Sequence, residues 1–185
     1  MNAIDVLKYT TNEDSTRYKH LTKCRELGEE LLSDIIIDKE IKEKILNTIL
    51  LHDIGYSEKI KDTGVHSVDG YRYLDANYPD LCFHKAIYMH ADFVNVCPEN
   101  YKEESALIYD SMNDLEFAAL LIVDYCDSHT DGYGNEVTIK GRWEDLQNRY
   151  KNKPEVLEIT KKTEKYAYHV ERVINRILDI LPTLN

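Results

Sequence analysis

The sequence predicts an all-α protein folded as a single helical bundle. Apolar residues recur at spacings of three and four along most of the chain, and no run alternates long enough to support a sheet. At 185 residues the chain suits one well-filled core and is short for two. A composition with 43% hydrophobic and 31% charged residues is that of a folded globular protein, not a disordered one.

Taken in order, residues 1–15 read as an N-terminal arm or short helix. A first long helix runs from about Thr16 to Leu32, capped by Ser15 or Thr16 and ended by Asp34. His20, Cys24, Leu27 and Leu31 share one stripe of it. A second helix, about Lys39 to His52, carries Ile41, Ile45, Ile49 and His52 on one stripe and Leu46, Leu50 and Asp53 on its neighbour. After the turn Thr63-Gly64 a third helix begins at Val65 or His66 and continues through Tyr73-Leu74. Gly70 inside it costs about 1 kcal/mol relative to Ala, which points to a close helix crossing. Pro79 starts a fourth helix, Asp80 to about His90, with Leu81, Ala86, Ile87 and His90 inward and His84 on the outer face. Cys97 to Met112 is polar and reads as a loop with room for a short helix. The fifth main helix, Asp114 to about Ser128, is the most apolar segment and ends in two acids, Asp124 and Asp127. An acid there opposes the helix macrodipole, at about 0.3–1 kcal/mol unless a cation is present. His129 to Val137 is a Gly-rich loop without the Gly-x-x-x-x-Gly-Lys pattern of a nucleotide-phosphate loop. Thr138 caps a helix from Lys140 to Asn152, and Pro154 opens a last long helix to Leu181. The chain therefore divides into an arm (1–15), a core carrying the candidate ligands (16–137) and C-terminal helices packed on it (138–185).

The formal net charge of -11 argues against a long nucleic acid as partner, which would need a basic face. A small anionic substrate is compatible with it where local Lys, Arg or metal overcomes the field. No apolar run reaches the ~20 residues of a membrane span, and the first residues lack a basic segment followed by an apolar one. Cys24, Cys82, Cys97 and Cys126 are widely spaced and form no CxxC pair, and Cys24 and Cys126 fall among apolar neighbours in helical patterns, so they read as reduced, buried thiols and not as zinc ligands. A cytoplasmic protein is expected.

Chemistry concentrates between Leu50 and Gly70, in LLHDIGYSEKIKDTGVHSVDG. His52 and Asp53 stand side by side at the end of a buried helix, where either group unpaired costs several kcal/mol. A divalent metal satisfies both, since imidazole nitrogen and carboxylate oxygen are ordinary ligands of first-row ions. His20, His66, His90 and one of Asp124 and Asp127 fall at the ends or on the inner stripes of the other helices.

This order of His, His-Asp, His, His and Asp resembles the HD superfamily of metal-dependent phosphohydrolases over roughly Arg17 to Val137. HDIGYSEKIKDTGVHSVDGYRYL is similar to the family's HDIGY…TG.H..DG.RYL segment, and YCDSHTDGYGNEV to its YxDMTTGPDGxxV segment. The resemblance implies an HD-domain bundle over 16–137. It also implies His20, His52, Asp53 and Asp127 as ligands of a first metal, with Asp124 one helical turn away as the alternative to Asp127. His66 and His90 match positions that hold a second metal in two-metal members, with Asp53 bridging. The chain departs from the pattern at His90-Ala91, where relatives often have His-His, and at DSHTD in place of DMTTG. His129, in the second of these, lies in reach of the fifth helix's end and is a compensating candidate. Tyr56 stands where the nucleotidase branch has a catalytic Glu, so a deoxynucleoside monophosphatase is not implied. What is implied is hydrolysis of a small phosphate ester or nucleotide by metal-activated water, with one or two ions of Mn, Fe, Co, Ni or Zn. Arg17 is the first candidate for charge on the transferred group and Lys61 the second, with Arg72 behind them. A non-catalytic metal- or nucleotide-binding module and a di-iron oxygenase on the same scaffold are the alternative readings. Helix pairing between copies would make a homodimer.

Overall fold

In a computed structural model, which describes residues 1–180, side-chain caps set the starts of five helices. Asn2 opens α1 (Ala3–Thr10), Ser15 opens α2 (Thr16–Leu31) and Asp38 opens α3 (Lys39–Leu51), each accepting a hydrogen bond from a first-turn amide. α4 (His66–Asn77) has no such cap at Val65. Instead the buried Asp69 carboxylate folds back and accepts from the Thr63 amide and hydroxyl, both at 2.8 Å, and from the Gly64 amide at 3.0 Å. Burial opposes the charge on Asp69, but these donors hold its carboxyl below the usual range. Three short helices follow: α5 (His84–Met89), α6 (Phe93–Val96) and α7 (Lys102–Asp110). Asn113 caps α8 (Asp114–Ser128), Thr138 caps α9 (Ile139–Tyr150), and α10 (Pro154–Ile180) starts on its proline. Among the described residues there is no strand, so the fold is all-α as expected.

α8 is the central helix and packs on α2, α3, α5 and α10. Its Ala119, Leu120, Val123 and Cys126 share a buried cluster with Cys24, Ile45, Ile49, Tyr88 and Val170. A second cluster joins Val6 and Leu7 of α1 to Leu21, Leu50, Leu51, Ile54, Leu74 and Ile87. Val6 and Leu7 are fully buried, each stabilising the fold by about 1.5–3 kcal/mol, so the start of the chain is a packed helix and not a loose arm. A third cluster of Ile139, Trp143 and Ala167 fastens α9 to α10, and the Trp143 indole donates to the Thr160 carbonyl at 2.7 Å.

Three expectations are corrected. The helix expected over Asp80 to His90 is only α5. Residues 78–83 form a turn instead, held by α3: the Phe83 amide donates to Thr48 Oγ1 at 3.0 Å, and Asn47 Nδ2 donates to the Leu81 carbonyl at 3.1 Å. His84, expected on the outer face, is buried, with Nε2 3.1 Å from the Tyr78 carbonyl and Nδ1 3.5 Å from Asp75. The Cys97–Met112 segment is largely helical, because α7 packs on α5 and α6. The expected end of the last helix at Leu181 lies outside the described residues. All four cysteines are free and buried, and among the described residues no helix is long and apolar enough to cross a membrane.

The close crossing expected at Gly70 lies against Gly55. A one-turn 3-10 helix (Ile54–Tyr56) follows Asp53 and runs backbone to backbone against the first turn of α4. A Cβ on Gly55 would collide with the His66 carbonyl and lie 2.7 Å from the Gly70 nitrogen. Both neighbours are backbone and cannot give way. Gly55→Ala is expected to destabilise the protein by about 3 kcal/mol, the upper end of what overpacking usually costs, because the contacts are backbone. Gly64→Ala, at φ +80° with nothing within 4 Å, is expected to cost only about 1–2 kcal/mol of backbone strain. Urea unfolding of the two variants checks the order.

Candidate metal centre

Five helix ends and faces deliver the candidate ligands to one point. α2 carries Arg17, His20 and Cys24 on one face, at i, i+3 and i+7. α3 ends at His52, and Asp53 begins the 3-10 turn. His66 opens α4, His90 follows the last residue of α5, and Asp127 lies in the last turn of α8. His20, His52, Asp53 and His90 are buried, whereas the side chains of His66 and Asp127 keep 28% and 23% of their surface exposed.

Three of the four rings are oriented by backbone carbonyls. His20 Nδ1 is 2.9 Å from the Asp131 oxygen, His52 Nδ1 2.7 Å from that of Ile49, and His90 Nδ1 2.6 Å from that of Ile87. A carbonyl only accepts, so each Nδ1 carries its proton and each Nε2 is turned toward the carboxylates. Asp127 Oδ1 lies 3.2 Å from His20 Nε2 and 4.0 Å from His52 Nε2. Asp53 Oδ2 lies 3.7 Å from His52 Nε2 and 4.0 Å from His20 Nε2. The other oxygen, Asp53 Oδ1, is 3.3 Å from both His66 Nε2 and His90 Nε2, which are 3.1 Å from each other. Donors bound to one first-row ion at about 2.0–2.2 Å sit roughly 3–4 Å apart, and these spacings fall in that range.

The electrostatics match a cluster built around positive charge. Burial opposes ionisation of Asp53 and Asp127, yet Arg17 and the imidazoles hold Asp53 well below the usual range, and His20 and Arg142 do the same for Asp127. Burial also opposes charge on the imidazoles. For His20 it is outweighed by Cys24 and Asp127, which raise it to about 11, and for His90 by Asp53, which raises it to about 9. For His52 and His66 burial wins, lowering them to about 4 and about 3. Among the described residues His52 Nε2 has no hydrogen-bond partner and, with the proton on Nδ1, is a buried lone pair. Such an orphan costs about 1–3 kcal/mol, and a bound cation removes the cost. Two groups, His20–Cys24–His52 and His52–Asp53–His90, each bring one ligand atom per residue within 4.8 Å of the others, so these buried residues could hold a metal ion.

Other sequence candidates lie as follows. Arg17 reaches the cluster and contacts Asp53 Oδ2, with its guanidinium 4.2 Å over the Tyr56 ring, and Tyr56 stacks on His66 at 4.1 Å. Lys61 stands apart, paired with Glu58 at 2.9 Å on the surface, and Arg72 pairs with Glu104 at 3.2 Å. His129 is turned toward α10, stacked on Tyr125 and 3.2 Å from Glu171, so it does not compensate at the cluster. Asp124 is engaged elsewhere: it accepts from the Ala91 amide and the Tyr166 hydroxyl, both at 2.7 Å, and burial pushes it up to about 7.

Sequence reasoning missed two features. Arg142 Nη2 lies 3.3 Å from Asp127 Oδ1; its signal was an arginine on the apolar stripe Ile139, Trp143, Leu146. The second is the way in. A cleft of about 590 Å³ opens onto Asp53 and Arg17, lined by Thr10, Asn12 and Ser15 of the N-terminal segment and by Tyr56, Ser57 and Lys59. The N-terminal segment thus forms one wall of the site. Compared with known proteins, the chain matches no family model, and no curated protein or solved structure matches it significantly.

Asp53→Ala, which removes the carboxylate facing all four imidazoles, is expected to abolish bound metal, whereas Asp124→Asn keeps it. Elemental analysis of the two purified variants decides, and loss of metal from Asp124→Asn would move the ligand assignment by one helical turn.

Proposed function

We propose that this chain is an HD-type metal-dependent phosphohydrolase acting on a small phosphate ester or nucleotide. The observation that carries the reading is the division of Asp53, whose Oδ2 faces His20 and His52 while its Oδ1 faces His66 and His90. Such a carboxylate suits a bridge between two cations. His20, His52, Asp53 and Asp127 would hold one ion, and His66, His90 and Asp53 the second; mixed nitrogen and oxygen donors suit Mn, Fe, Co, Ni or Zn. When bound, such ions lower the pKa of a water toward neutrality and polarise a phosphoryl oxygen.

The protein's own groups supply the rest. The cleft has room for an anionic ester beside Asp53, which lines it. Arg17 lies at its floor between Asp53 and Tyr56, where a guanidinium can donate two hydrogen bonds to a phosphoryl group. Tyr56, stacked on His66, limits the directions that guanidinium can take. Asp127, paired with Arg142, keeps its charge and orients His20.

The test begins with metal content of protein purified without chelator, followed by assays on phosphate esters and a nucleotide panel with added Mn, Co, Ni or Zn. Phosphate release that stops on chelation and returns with metal is expected. An oxidised product that depends on dioxygen, without phosphate release, would replace this reading with the oxygenase one. Arg17→Ala is expected to lower kcat/KM about 100-fold with bound metal retained, as for loss of one preorganised donor to developing charge. Lys61→Ala, which breaks only a surface ion pair, is expected to stay within about twofold of the parent.

A further inference from the structure

Cys24 is not among the ligands assigned to either ion above, and its sequence context reads as that of a buried core thiol, yet it lies against the cluster. Its Sγ is fully buried, 3.6 Å from His20 Nε2 on the same face of α2. The other neighbour able to accept from its thiol is the Cys126 carbonyl, at 3.7 Å, a weak contact for S–H. Ligand atoms of His20, Cys24 and His52 lie within 4.8 Å of one another. His52 Nε2, with 0% of the residue exposed, is the buried atom there that no hydrogen bond satisfies. A single thiol hydrogen cannot serve both the carbonyl and two imidazoles. One cation between the three residues serves them all. Sulfur at about 2.3 Å and nitrogen at about 2.0 Å from a tetrahedral ion are roughly 3.5 Å apart, close to the 3.6 Å between Cys24 Sγ and His20 Nε2.

We propose that Cys24 is a sulfur ligand to the ion held by His20 and His52, making that position a thiophilic site. This rests on reading the cluster as a metal centre and adds a donor to it. Loading breaks the S–H bond, releases that proton to the buffer and forms a metal–sulfur bond, with no change of oxidation state. A soft thiolate beside two imidazoles selects zinc, iron or cobalt over manganese and magnesium, which narrows the range that nitrogen and oxygen donors alone would accept.

Cobalt(II) titration of the full chain, reduced and under argon, separates this inference from the one beneath it. Visible d–d absorption reports cobalt in the cluster, and a near-ultraviolet sulfur-to-cobalt charge-transfer band reports a bound thiolate. Both are expected in the parent protein. Cys24→Ala and Cys24→Ser are expected to lose the charge-transfer band while keeping d–d absorption, and Cys82→Ala, a buried thiol in a different cluster, to keep both. Visible bands in the parent without the charge-transfer band would overturn the assignment of Cys24 and leave the metal centre standing. So would a charge-transfer band that survives in both Cys24 variants. No cobalt bound by the parent would overturn the metal reading itself. Where Cys24→Ala fails to fold, Cys24→Ser carries the assignment, and a parent spectrum without the charge-transfer band overturns it whatever the variants do.

Discussion

One buried carboxylate organises this molecule. Asp53 sits almost out of contact with water, with two imidazoles near each of its oxygens and an arginine against one of them. An isolated charge in that position would cost many kcal/mol. The bundle offsets the cost with convergent positive and polar groups from four separate helices, and those groups in turn have no reason to be there without the carboxylate. Removing Asp53 leaves four rings with nothing to face; removing the rings leaves a charge that has to be neutralised. The site and the core of the fold are thus coupled through one residue.

The rest of the architecture can be followed outward from that point. Gly55 lets the chain turn tightly after Asp53 and lie backbone to backbone on α4, which carries His66 over the carboxylate. Asp69 holds the turn before His66 with three hydrogen bonds, replacing the missing helix cap. Backbone carbonyls of Ile49, Ile87 and Asp131 fix three rings, so side-chain orientation is inherited from main-chain geometry. α8, the most apolar helix, anchors Asp127 at its end and supplies the packing against which the others are set.

Much of this was legible in the sequence, for definable reasons. The spacing of apolar residues and the caps Ser15 and Thr138 are local signals, and α2, α8 and α9 begin within a residue of where the sequence places them, while the Asn113 cap of α8 was not foreseen. The close approach at Gly70 followed from the cost of glycine inside a helix. The turn over residues 78–83 was not legible, because it is held by Asn47 and Thr48, which lie more than thirty positions away. His84 is buried for the same reason: α5 starts only at that residue, so a helical face counted from Asp80 does not apply to it. At the cluster, side chains from His20 to Asp127 could be selected by motif, but the cleft wall from Thr10 to Ser15 could not. That wall is composed of small polar residues whose importance comes entirely from where α1 docks.

His90 is followed by two non-glycine residues in left-handed conformation, Ala91 at φ 57° and Asp92 at φ 60°. Each costs about 1–3 kcal/mol, and the arrangement persists because the Ala91 amide is tied to Asp124. The cluster therefore borrows part of its geometry from conformational energy stored in the adjoining backbone. Glycine at position 91 or 92 would relax that strain while freeing the peptide that aims His90, so at this corner of the fold added stability and a fixed ring orientation pull in opposite directions.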